Sequence, residues 1–96
     1  MNLREKMKKI VADGVDDYVN RGYEHAIDMI STAADSYVTR INIYYDKFFD
    51  KHTDLNFIRT VISKISEKLE SDGFSVEHLV SSYRNEMNVY VIVKWD

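Results

Sequence analysis

Between Leu3 and Ala34 the apolar side chains Leu3, Met7, Ile10, Val11, Val15, Tyr18, Val19, Ala26, Ile27, Ile30, Ala33 and Ala34 return every three or four positions, with polar residues between them. That is the helical period, so the segment is expected to be an amphipathic helix with one face toward a core. Gly14 and Gly22 fall inside it, and each costs about 1 kcal/mol relative to alanine in a helix interior. Asn20-Arg21-Gly22 is therefore a place where the helix could divide in two. Because the stripe keeps its phase across Gly22, one long or slightly bent helix is the preferred reading, with both glycines offering another backbone a close approach.

The period changes at Asp35-Ser36. From Tyr37 to Tyr45 the residues alternate, with Tyr37, Thr39, Ile41, Ile43 and Tyr45 on one side and Val38, Arg40, Asn42 and Tyr44 on the other. This is the pattern of a half-buried strand. Asp46-Lys47-Phe48-Phe49-Asp50-Lys51-His52-Thr53 has no clean period and is read as a loop holding two adjacent phenylalanines. A second helix begins at Thr53 or Asp54, either able to cap its first turn, and runs through Leu55, Ile58, Val61, Ile62, Ile65 and Leu69. Ser71-Asp72-Gly73-Phe74 supplies its stop, with Gly73 left-handed and Phe74 folding back on the last turn. Phe74 to Ser82 alternates as a second strand and Tyr83-Arg84-Asn85-Glu86 is a turn. The β-rich run Asn88-Val89-Tyr90-Val91-Ile92-Val93-Lys94-Trp95 then makes the third strand, closing a hairpin and placing the last residues inside the sheet.

Helix, strand, helix, strand, strand is an α+β order in a single domain, residues 1–96. A right-handed crossover through the second helix makes the first two strands parallel, and the hairpin makes the third antiparallel to the second. The third strand is the most apolar and belongs in the middle. The expected architecture is thus a three-stranded mixed sheet of order 1-3-2 with both helices packed on one face, the face of Ile41, Ile43, Phe74, Val76, Val89, Val91, Val93 and Trp95.

The opposite face then carries Val38, Tyr44, Leu79, Tyr90 and Ile92 beside Arg40, Asn42, Glu77 and Lys94. Large apolar groups on a sheet face that no helix covers point to a contact with something else. A second aromatic concentration, Tyr44, Tyr45, Phe48 and Phe49 beside Arg40, Lys47 and Lys51, has the composition that anchors protein interfaces. Arg40, Tyr44, Phe48, Phe49, Tyr90 and Lys94 are accordingly the candidate binding residues. Half of the aromatic loop, Tyr45 and one phenylalanine, is expected to close the end of the core.

Composition narrows the classes of chemistry. Ninety-six residues, 45% of them hydrophobic and 30% charged, fit one compact domain. Such a small chain has a thin stability margin, to which a second copy could add. Without cysteine there are no disulfides and no thiolate metal ligands, which fits a reducing cytoplasm. The basic first residues lead into Asp13, Asp16 and Asp17 rather than an apolar run, so neither a signal peptide nor a membrane span is expected. A net charge of -3 argues against nucleic acid as a partner, although Arg4, Lys6, Lys8 and Lys9 make a local positive spot.

His25, His52 and His78 fall on different elements with no zinc spacing, and Asp46, Asp50, His52 and Asp54 lack the glycine and terminal glutamate of a calcium loop. Three glycines cannot build a phosphate-binding loop. No serine sits in a nucleophile turn, and although an acid and base pair could be assembled from Glu77, His78 and Glu86 on the hairpin, such sets arise by chance in nearly any domain. No enzyme, no cofactor and no metal is the resulting expectation.

The order of elements also resembles small accessory proteins of bacteriophages, through the amphipathic helix reaching Ala33-Ala34, the strand Ile41-Asn42-Ile43, the helix end Leu69-Glu70-Ser71-Asp72-Gly73-Phe74-Ser75-Val76 and the final Val91-Ile92-Val93-Lys94-Trp95. The resemblance implies a non-enzymatic protein that binds a host or defence component in the host cytoplasm, and it assigns no functional residue. The function expected is binding of a protein partner, as an inhibitor, by an oligomeric chain. The alternative is a sequestering oligomer that encloses a nucleotide-type ligand between subunits with Arg40, Tyr44, Phe48 and Arg84.

Overall fold

A computed structural model describes residues 2–50, 52–84 and 86–96. Helix α1 spans Leu3–Asp35, strand β1 Arg40–Tyr44, a short 3-10 turn Asp46–Phe48, helix α2 Leu55–Ser71, strand β2 Ser75–Tyr83 and strand β3 Glu86–Lys94. The strands form one sheet in the order β1-β3-β2. Both pairings are antiparallel. This corrects the mixed sheet: β1 and β2 do run the same way, but β3 lies between them, so no parallel pair forms. Lys51 and the turn residue Asn85 lie outside the described residues.

Helix α1 is continuous through Gly22, as its unbroken stripe predicts. Asn2 caps it, its side chain accepting the Glu5 amide at 2.9 Å. At the far end Tyr37 and Val38 donate to the carbonyls of Ala34 and Ala33, which places Tyr37 in the left-handed position after the helix, with φ of 61°. A left-handed residue cannot begin a strand, so β1 is shorter than the alternation from Tyr37 suggests, and Tyr37 and Val38 stand outside the sheet. Helix α2 follows its sequence pattern closely. Asp54 accepts from the Asn56 amide, and Gly73 and Phe74 donate to Glu70 and Leu69 at the C-terminus. Gly73 has φ of 100°, where a side chain would strain the backbone.

Both helices cover the face of Ile43, Val89, Val91 and Val93, all fully buried. Ile58, Val61, Ile62, Ile65 and Leu69 of α2 and Val15, Val19, Ala26 and Ile30 of α1 complete the core. The close approach at Gly22 is made by side chains rather than by a second backbone. A Cβ there would lie 2.5 Å from Ile65 Cδ1 and 3.4 Å from Tyr45 Cε1. Tyr45 is fully buried, and its hydroxyl donates to the Gly22 carbonyl at 2.8 Å. Burial pushes its phenol well above the ordinary tyrosine range. Ser66, buried within α2, bonds His78 Nδ1 at 3.2 Å.

The body ends before α1 does. Every residue from Asn2 to Asp13 is exposed, and the first buried position of α1 is Val15. The radius of gyration, 14.7 Å, exceeds the value of about 12.5 Å for a compact chain of this length. The first three turns of α1 therefore project as an arm.

Candidate functional site

Strand register sets out the uncovered face of the sheet in rows. Arg40, Lys94 and Ser75 form one row, Asn42, Ile92 and Glu77 the next, and Tyr44, Tyr90 and Leu79 the third. These positions alternate with the buried ones, so the pleat that sends Ile43, Val91 and Val93 into the core sends this set outward. Tyr44 is 63% exposed and Leu79 41%. The Tyr44 and Tyr90 rings tilt against each other with centroids 6.0 Å apart. An apolar strip thus runs across all three strands, with Arg40 and Lys94 at one border and Glu77 as the acidic neighbour.

Four of the six candidate residues, Arg40, Tyr44, Tyr90 and Lys94, therefore share one surface. Phe48 and Phe49 do not. Phe49 is buried, stacked on Tyr18 at 5.1 Å, and Phe48 packs half-buried against Tyr45 and His25 at 5.0 and 5.2 Å. This corrects the reading of the loop as an anchor: the 3-10 turn folds it under the sheet, where its rings close the core between α1 and α2. Tyr45 and Phe49 close that end, as the sequence suggests, and Phe48 joins them half-buried instead of standing exposed.

The acidic loop residues are occupied with backbone amides. Asp46 accepts from Val89 at 2.7 Å, Asp50 from His52 and Asp54 from Asn56. Among the described residues no cluster of three or more His, Asp or Glu side chains could hold a metal. Glu77 and His78 point to opposite faces because they are neighbours on one strand. Arg40, Tyr44, Phe48 and Arg84 do not converge within the chain either: Arg40 and Tyr44 lie four residues apart on the outer face, Phe48 lies under the sheet, and Arg84 stacks on Tyr83 at the hairpin tip. Among the described residues no helix is long and apolar enough to cross a membrane.

Sequence reasoning did not find a second surface, the arm. Leu3, Met7, Ile10 and Val11 are 71%, 49%, 62% and 55% exposed. Their stripe continues into the core-facing stripe of α1, so periodicity alone merges the two. Length was the available signal. A 33-residue helix is about 50 Å long, whereas a nine-residue strand spans about 30 Å, so one end of the helix has nothing to lie on. Beside the arm, a cavity of about 610 Å³ opens between α1 and α2, with Val11, Val15, Tyr18, Phe57 and Thr60 in its walls.

No protein-family model matches the chain, and comparison with curated proteins and with solved structures finds no match.

Proposed function

We propose that this chain is a small non-enzymatic binding protein that docks a protein partner on the outer face of its sheet. The observation that carries the reading is the strip of Tyr44, Tyr90, Leu79 and Ile92 left open by two helices that both pack on the other side. Aromatic groups with an arginine beside them are what interface centres are enriched in. Core formation does not call for Tyr44 or Leu79 there, since both are exposed and polar residues are common on the wet side of an antiparallel sheet. The partner that fits presents an apolar ridge across the strands and a carboxylate toward Arg40 and Lys94. Such docking acts by occupying a surface. The finer reading, a phage inhibitor of a host or defence protein working in the host cytoplasm, rests on the resemblance to phage accessory proteins.

The test is affinity capture from a bacterial lysate with the native chain and with a Tyr44→Ser/Tyr90→Ser variant, compared by quantitative mass spectrometry. The double substitution removes cross-strand contacts and costs about 1–2 kcal/mol of stability, so folding is checked by circular dichroism. The expected result is a partner enriched by the native chain and lost at least tenfold with the variant. An identical captured set from a folded variant refutes the reading.

A further inference from the structure

We infer that the arm, residues 2–13 of α1, pairs antiparallel with the arm of a second copy of this chain. Leu3, Met7, Ile10 and Gly14, spaced four, three and four, form one apolar seam, and the exposed side chains of that seam end beside the cavity between α1 and α2. An arm of three turns with a bare apolar stripe gains nothing from its own body and is marginal as an isolated helix.

Charge selects the occupant. At about 100° per residue, Lys6 and Asp13 lie along one border of the seam, with Asp17 between that border and Ile10, and Arg4 lies along the other. When two helices pair antiparallel, like borders meet, so Lys6 of one copy faces Asp13 and Asp17 of the other. A parallel pair would bring Lys6 against Arg4 of its mate, both positive. The same acidic residues argue against an anionic lipid surface, which attracts the first two turns and repels the next two. Asp17 already pairs with Arg21 at 2.9 Å, but both side chains are exposed, and such a pair is worth little in itself.

Lys6 opposite both Asp13 and Asp17 centres the pair near Ile10 and Val11. Leu3 of each copy then reaches the level of Tyr18 in the other, where the cavity walled by Val11, Val15, Phe57 and Thr60 receives it together with Met7. Arg4 on that border comes toward Asp54, which lines the same cavity. The exposed parts of Leu3, Met7, Ile10 and Val11 in two copies amount to roughly 800–900 Å², and the remaining cavity walls, Val15, Phe57 and Thr60, with the flanking stems bring the available contact to the ~1,000 Å² that a specific interface needs. This surface is separate from the sheet face, so either can fail without the other.

The experiment is sedimentation equilibrium on the full chain, over a concentration series up to about 1 mM, joined to cysteine cross-linking, which the absence of native cysteine makes clean. The native chain should reach twice its monomer mass. Met7→Glu/Ile10→Glu should raise the dissociation constant at least tenfold, with an unchanged melting curve at concentrations too low for association, since both positions lie outside the core. Lys6→Glu alone should weaken association, and Asp13→Lys/Asp17→Lys added to it should restore it. Oxidised Ile10→Cys should form a covalent dimer; Leu3→Cys, held about 20 Å from its mate, should not. A strictly monomeric native chain overturns the inference, whether or not it binds anionic vesicles. So does a dimer indifferent to Met7→Glu/Ile10→Glu, or one that cross-links through Leu3→Cys.

Discussion

Gly14 and Gly22 lie on the same helix, two turns apart, and alanine at each should have opposite effects on stability. Both substitutions gain the helix propensity that glycine lacks, about 1 kcal/mol. At Gly14 the added methyl finds Phe57 at 3.7 Å, an ordinary contact, so most of that gain is kept. At Gly22 it falls 2.5 Å from Ile65 Cδ1 and 3.4 Å from Tyr45 Cε1. Ile65 is 1% exposed, so its Cδ1 must give way within the core rather than toward solvent, and the overpacking penalty of about 1–3 kcal/mol applies. Pushing the Tyr45 ring back also stretches its hydroxyl from the Gly22 carbonyl, a bond worth about 1 kcal/mol whose loss leaves a buried donor unmet. The net expectation is that Gly14→Ala stabilises by about 0.5–1 kcal/mol and Gly22→Ala destabilises by about 1–3 kcal/mol. Urea denaturation, at protein concentrations too low for association, measures both through the midpoint at constant slope. Ile65→Val deletes the clashing methyl and should therefore couple favourably to Gly22→Ala in a double-mutant cycle, recovering at least about 0.5 kcal/mol. Gly22→Ala as stable as Gly14→Ala, or no coupling to Ile65→Val, would refute the packing argument.

Tyr37 holds a left-handed conformation at 96% exposure and no core contact depends on its ring, so Tyr37→Gly should raise stability by about 0.5–1 kcal/mol in the same urea assay. Tyr45 keeps its proton in the native state to a pH well above the ~10 at which the unfolded chain loses it. Its contribution is complete below pH ~10 and declines as pH rises beyond that, by up to about 1.4 kcal/mol per pH unit. Tyr23, held up first by its hydrogen bond to Asp72 and then by desolvation, adds a decline of the same sign from a more exposed site. Tyr45→Phe should be less stable at pH 7 but should show a visibly shallower loss between pH 10 and 11; an unaltered alkaline slope would contradict the burial of that phenol.

The helices and the order of the strands could be read from the chain because periodicity and end signals agreed. Helix α2 is the plainest instance: Asp54, the Ile58-to-Leu69 stripe and Gly73 all mark the same segment. The outer face was legible for the same reason, since alternation fixes which residues share a side once the strand is known. Three things were not. The start of β1 was hidden because Tyr37 continues the alternation while its backbone turns left-handed, a conformation that sequence marks only when glycine holds it. The fate of Phe48 and Phe49 depended on a 3-10 turn that carries no period of its own. The arm was hidden because a stripe that faces a core and a stripe that faces solvent look alike until the length of the neighbouring elements is weighed.

The claim on which the function rests is that the chain meets its partner across the outer sheet face and not across its helices. Site-specific photo-cross-linking in lysate addresses it directly, with a benzophenone side chain placed at Tyr44 on the outer face or at Glu70 on the exposed side of α2. Discrete adducts from position 44, and none from position 70, are the result expected. Adducts from position 70 alone, or from both positions equally, would contradict it.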